Sequence, residues 1–169
     1  MYLRRGQPAQ ALRQYRESAR IATELGVRLI ETRAYTGLSS AYRQLGDLDQ
    51  ARAHGREALA RARQGGYRVL EGQALTALAE TELAGPDADG TGARDLAEEA
   101  LAVHRETGHR LGLARTFVIL GRAVLREGGP DAAARAADAW RSALDLFTRL
   151  GTPEADEVRV LLRLPPVRA

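Results

Sequence analysis

The chain has 169 residues, enough for one domain with a sizeable core, and 25 basic against 22 acidic residues give a net charge of +3. Every basic residue is arginine, and lysine, asparagine and cysteine are absent, which excludes disulfide staples, cysteine nucleophiles and phosphate loops ending in Gly-Lys. No run approaches the ~18 apolar residues of a membrane-spanning helix, so the expectation is a soluble, cytoplasmic single domain over residues 1–169 with no membrane partner.

Apolar and small residues recur at helical spacing along the length, and no segment alternates with the period of a strand. The first helical span, 8–25, places Ala11, Tyr15, Ala19 and Ala22 on one face and stops at Gly26. In 28–45, Tyr35, Leu38, Ser39 and Tyr42 fall at i, i+3, i+4 and i+7 before Gly46-Asp47 breaks the pattern. Span 48–64 runs through Ala51, Ala58, Leu59 and Ala62 to Gly65-Gly66, and 68–84 carries Leu75, Leu78 and Ala79. A Gly-rich loop over 85–92 leads into helices at 92–107 and 110–127, and Gly128-Gly129-Pro130-Asp131 leads into one at 131–150. Thr152-Pro153-Glu154 reads as a helix start with Thr as N-cap. The helix at 153–163, with Ala155, Val158, Leu161 and Leu162 on one face, is then a cap stopped by Pro165-Pro166. Residues 2–6 overlay residues 42–46, the last turn of a helix whose earlier turns are missing, so the chain reads as a fragment or the product of a late start.

These spans repeat. Shifted by 40, Ala11, Ala22, Gly26, Glu31, Thr36 and Leu38 fall on Ala51, Ala62, Gly66, Glu71, Thr76 and Leu78. A shift of 42 carries Ala51, Gly66 and Leu78 onto Ala93, Gly108 and Leu120, and one of 43 carries Ala93, Ala100 and Gly108 onto Ala136, Ala143 and Gly151. A period of this size marks a stack of helix pairs, whose usual product is an extended binding surface. Within the units, Phe117, Leu120, Gly121 and Val124 follow the spacing W-x2-L-G-x2-Y with Phe for Trp and Val for Tyr. Tyr35, Leu38, Ser39 and Tyr42 follow it with Ser for Gly, and Leu75, Leu78 and Ala79 follow it with Glu82 in the aromatic place. Small residues supply the second half at Ala51, Gly55 and Ala58, at Ala93, Ala97 and Ala100, and at Ala136 and Ala143 around Trp140.

On these residues the chain resembles the tetratricopeptide repeat family in its long-period variety. The resemblance implies an all-α, right-handed superhelix of antiparallel helix pairs: a truncated first repeat at 1–25, repeats at 28–64, 68–107 and 110–150, and the capping helix. Leu38, Leu78 and Leu120 should then occupy equivalent buried places. Phrases such as Leu45-Gly46-Asp47-Leu48 and Glu57-Ala58-Leu59-Ala60 are similar to the C-terminal repeat arrays of actinobacterial multidomain transcriptional regulators, in which such repeats follow a DNA-binding domain and an ATPase. The arginine bias fits a GC-rich genome, because lysine and asparagine codons are AT-rich.

Chemistry-bearing residues are sparse. His54, His104 and His109 include no pair at i, i+3 or i+4, so they read as partly exposed helix residues and not as a metal site. Asp87-Ala88-Asp89-Gly90 has its glycine two places early for a calcium loop and no closing glutamate, and reads as a solvated turn. Gly37-Leu38-Ser39-Ser40-Ala41 approaches a nucleophile elbow but lies inside a helix. The expectation is no catalytic residue, cofactor or metal, and no enzyme. Trp140, Tyr35, Tyr42 and Phe117 read as core, and glycine as confined mainly to turns.

By the same resemblance, the first helix of each pair lines the concave surface. The residues between its packing positions are Arg33, Thr36, Ser40 and Arg43, then Gln73, Thr76 and Glu80, then Arg115, Val118, Ile119, Arg122 and Arg126. The planar arginine fork suits carboxylate or phosphate groups. The implied function is a protein-interaction or ligand-sensing module whose partner is an acidic protein or peptide. A pI of about 9.8 leaves nucleic-acid binding as an alternative, beside a stand-alone scaffold. Arginines interleaved with glutamates make a poor nucleic-acid footprint, however, so direct contact is not expected. Ala11, Tyr15, Ala19 and Ala22, without a preceding helix, should produce weak self-association at the N-terminal end.

Overall fold

The computed structural model describes residues 7–86 and 88–163. These form eight helices and no strand: α1 Pro8–Glu24, α2 Arg28–Gln44, α3 Leu48–Gln64, α4 Arg68–Leu83, α5 Thr91–Glu106, α6 Arg110–Glu127, α7 Ala132–Leu150 and α8 Glu154–Arg163. Each end lies within one residue of its expected place.

The turns explain that agreement. Gly26, Gly46, Gly66, Gly108 and Gly151 each adopt a left-handed conformation, with φ between 64° and 83°, which is nearly free of cost for glycine alone. The next N–H then reaches back to a carbonyl of the finished helix: Val27 to Ala22 (2.8 Å), Asp47 to Tyr42 (3.0 Å), Tyr67 to Ala62 (2.8 Å), His109 to His104 (3.0 Å) and Thr152 to Phe147 (3.1 Å). The following helix starts at once, so neighbours lie antiparallel. Consecutive helices pack together, and α2 also touches α4 as α4 touches α6. The even-numbered helices α2, α4 and α6 therefore form an inner layer, with α1, α3, α5 and α7 outside it: an all-helical solenoid.

What brings the helices together is the absence of side-chain bulk. Ala51, Ala58 and Ala62 of α3, Ala93, Ala97 and Ala100 of α5, and Ala136 and Ala143 of α7 are at most 1% exposed. Glycine extends the same device into the helices, contrary to the expectation that it marks turns. A methyl group on Gly37 would sit 2.4 Å from the Tyr15 ring, one on Gly55 2.6 Å from Leu78, one on Gly72 2.7 Å from the His104 ring, and one on Gly121 2.3 Å from Trp140 Nε1. Each glycine weakens its own helix by roughly 0.5–1 kcal/mol relative to alanine, and each leaves a notch that a large side chain fills. Trp140 is core, as expected, and donates from Nε1 to the Val118 carbonyl (3.2 Å).

Several expectations need correction. Leu38 and Leu78 are 3% exposed, but Leu120 is half-buried. Leu78 enters the notch at Gly55, whereas the corresponding residue of α5 is Ala97, whose methyl fills that space; Ile119 takes the buried place instead. Ala11 and Ala22 are covered by α2 at 2% and 3% exposure, so they form no bare face. The exposed apolar residues at that end are Ile21, Leu25, Val27, Leu29 and Ile30. Gly90 is not in a solvated turn: it is buried at φ 89°, and a Cβ there would lie 2.3 Å from the Ala123 carbonyl of α6. The Thr152 hydroxyl makes no capping bond. Residues 2–6, Asp87 and Pro165-Pro166 lie outside the described residues.

Overpacking a crossing should therefore cost more than helix propensity returns. Ala58→Leu and Ala100→Leu are each expected to lower stability by about 1–3 kcal/mol. Gly92→Ala, where the added methyl meets nothing within 4 Å, should instead raise it by up to about 1 kcal/mol. Urea denaturation of the three variants measures the contrast.

Candidate partner-binding face

The inner layer brings the expected groove residues into rungs. Arg33, Gln73 and Arg115 hold equivalent places on α2, α4 and α6, as do Thr36, Thr76 and Val118, and Ser40, Glu80 and Arg122. Arg33, Arg115, Arg122 and Arg126 are exposed, and Thr36, Ser40, Arg43, Gln73, Thr76 and Glu80 are half-buried. Ile119 is not a groove residue: at 3% exposure it packs with Ala79 and Ala97 in the core. Val118 leans the same way, against the cluster built from Trp140, Phe147, Ala155 and Val158. The apolar surface of these two residues is thus spent on the protein's own packing.

Charge on this face is partly neutralised. Arg43 bridges α2 to α4 through Glu80 (2.8 Å), and Arg115 bridges α6 to Glu154 at the start of α8 (3.0 Å). Arg126 reaches the Leu83 carbonyl at 3.5 Å. Arg33 and Arg122 enter no ion pair among the described residues, so their forks point to solvent unspent. An open cavity of about 560 Å³ lies away from this face, at the turns, where Arg52 is paired with Glu82 and Asp49.

Beneath Thr76 lies a polar cluster that the sequence reading missed. His104 is 1% exposed, not partly exposed, and fills the space left by Gly72 and Gly112. Thr76 Oγ1 lies 2.8 Å from the Gly72 carbonyl, 3.1 Å from His104 Nε2 and 2.9 Å from Thr116 Oγ1, whose own hydroxyl lies 2.9 Å from the Gly112 carbonyl. The other ring nitrogen, His104 Nδ1, faces His109 Nδ1 at 3.3 Å, so that one imidazole donates to the other. The two histidines are five residues apart, across a turn, which is why a search for same-face helical spacing passed over them. Burial pushes the His104 imidazole down to about 4, and the neighbouring His109 adds to the effect against a hydrogen bond to Gly72. His109 is lowered too, by burial and then by Arg115. No third His, Cys, Asp or Glu is placed to share a metal ion with the pair among the described residues.

Two buried carboxylates also escaped notice, although their recurrence at a spacing of 40 was visible. Glu31 accepts from Thr23 of α1 (2.7 Å) and pairs with Arg61 of α3 (2.7 Å), while Glu71 pairs with Arg63 of α3 (3.0 Å) and with Arg68. Both tie the start of an inner helix to the outer helix before it.

The repeated pairs, the glycine turns and the notched crossings agree with a match of residues 1–64 to the model of the tetratricopeptide repeat family. Over that matched stretch the chain carries tetratricopeptide repeats. It is also similar to the regulatory protein AfsR of Streptomyces griseus, with 37% identity over 117 residues. That stretch is 69% of this chain and 12% of AfsR, so the chain spans a small part of that relative's length. Among the described residues no helix of this repeat array is long and apolar enough to cross a membrane.

The His104 cluster makes an acid-sensitive prediction. A histidine held neutral in the fold has a folded value below its unfolded one, so its contribution is complete above about pH 6.5 and is lost as pH falls towards about 4. Unfolding free energy measured between pH 7.5 and 4 should drop over that window, by on the order of 3 kcal/mol at most. In His104→Gln the same window should be flatter than in the wild type.

Proposed function

We propose that residues 1–169 form one protein-interaction or ligand-sensing domain of a bacterial transcriptional regulator, working in the cytoplasm and docking an acidic protein or peptide segment on the inner face of α2, α4 and α6. The observation that carries this reading is the pair Arg33 and Arg122: exposed arginines on the two flanks of the inner layer, with no ion-pair partner among the described residues. Unspent guanidinium groups on a preformed surface speed encounter and fix orientation by bidentate bonding to carboxylates. Arg115 and Arg43 add to the field, but each must first leave a glutamate. The similarity to a regulatory protein supports the assignment to a regulator. Several other arginines are engaged with neighbouring carboxylates, among them Arg20 with Glu17 and Glu24, Arg94 with Glu127 and Arg141 with Asp138, and this interleaving of charge favours a protein partner over a phosphate backbone.

Selection of binders from a random peptide library on the immobilised chain tests the reading. Enriched peptides should carry Asp and Glu, and raising salt should weaken them, since surface charges are screened within ~8–10 Å. The double variant Arg33→Glu, Arg122→Glu should lose at least about tenfold in affinity, roughly 1.4 kcal/mol, with an unchanged melting temperature. Neutral peptides that bind the double variant as well as the wild type would place the partner elsewhere.

A further inference from the structure

Glu80 is the only acidic residue in the three rungs, and it stands on α4, the middle inner helix. On one side of it, Arg43 of α2 bonds its carboxylate at 2.8 Å. On the other, α6 carries Arg122 in the equivalent place and Arg126 four residues on. Residues four apart share a helix face, where like charges repel, and both of these arginines are exposed. Neither enters an ion pair among the described residues, and Arg126 reaches only the Leu83 carbonyl of α4, at 3.5 Å. Three arginines thus surround the place of one glutamate.

The Arg43–Glu80 pair is also incomplete. A guanidinium grips a carboxylate best through two parallel bonds, as Arg20 grips Glu17 through Nε (3.1 Å) and Nη2 (2.6 Å). Arg43 gives Glu80 only Nη2, and its Nε is buried with no partner. A buried donor left unpaired costs stability, and a carboxylate placed side-on to this fork would satisfy both nitrogens. The two side chains are 24% and 36% exposed, so the pair is open to exchange.

We propose that Glu80 is a built-in competitor, holding the subsite of Arg43, Arg122 and Arg126 until a carboxylate of the docking segment displaces it. This rests on the docking reading above, and adds where the acid binds and what regulates its affinity. A competitor carried on the same surface lowers the apparent affinity by the fraction of time the subsite is taken, and so keeps the weakest acidic segments off.

Fluorescence anisotropy of fluorescein-labelled hexaglutamate with the full chain tests this. Glu80→Gln should bind the peptide at least about threefold more tightly than the wild type. Glu80→Ser, which copies Ser40 of α2, should do the same. Glu82→Gln removes the same charge two residues away, from a pair with Arg52, and should leave the affinity unchanged. In an Arg43→Gln background, Glu80→Gln should bring little gain, because the fork that it frees is gone. An equal gain with and without Arg43, or from Glu82→Gln, would reduce Glu80 to a repelling charge and overturn the proposal. No gain in either Glu80 variant would overturn it too. The docking reading survives such a failure if the wild type binds hexaglutamate and Arg33→Glu, Arg122→Glu binds it more weakly. If none of these chains binds hexaglutamate, both fall.

Discussion

Close approach of helix axes at residues without bulk is the constraint from which the rest of this structure follows. Two helices meet at the usual 8–10 Å only if one of them offers little side chain where they cross. Here that residue is an alanine in the regular places and a glycine where a large partner must enter. The resulting notches are specific. Tyr15 belongs to Gly37, Leu78 to Gly55, His104 to Gly72 and Gly112, and Trp140 to Gly121. Because each notch joins neighbouring helices of the stack, local packing choices propagate into the relative position of pairs, and so into the spacing of the inner-face arginines.

Polar groups were fitted into this apolar frame where the frame left room for them. The Thr76, His104 and His109 cluster sits in the space freed by two glycines, with every ring nitrogen of His104 given a partner. Glu31 and Glu71 hold inner helices to the preceding outer ones through Thr23 and Arg63, and Glu31 also reaches the following outer helix through Arg61. Removing one member of such a buried pair is costlier than the pair's net worth, because the remaining charge stays buried. Ser39, fully buried beside Gly55, and Thr152 are exceptions whose hydroxyls find no counterpart among the described residues.

Much of the helical layout was legible in the sequence, because glycine turns and apolar spacing are local signals that act at fixed offsets. The register was legible too: Ala58, Ala100 and Ala143 are all 0% exposed, as their recurrence required. What stayed hidden depended on the identity of a distant partner. Nothing near Leu120 reveals that its pocket is already filled by Ala97, and nothing near His104 reveals that Gly72 makes room for it. The candidate face was legible as a set of helix positions, but not in its charge state. That Arg43 and Arg115 are held by Glu80 and Glu154 depends on contacts 37 and 39 residues away. Ile119 was misplaced for the same reason, since helical spacing alone does not decide which of two adjacent apolar residues faces inward.

The notch at Gly121 offers the most direct measurement of this account. A double-mutant cycle between Gly121→Ala and Trp140→Ala, followed by urea unfolding, separates the crossing from helix propensity. In the wild-type background Gly121→Ala should destabilise, because the new methyl meets the indole. In the Trp140→Ala background the same change should stabilise by up to about 1 kcal/mol, as alanine does in an unconstrained helix. If Gly121→Ala had the same sign and size in both backgrounds, the claim that paired notches and large side chains set the helix crossings would be wrong.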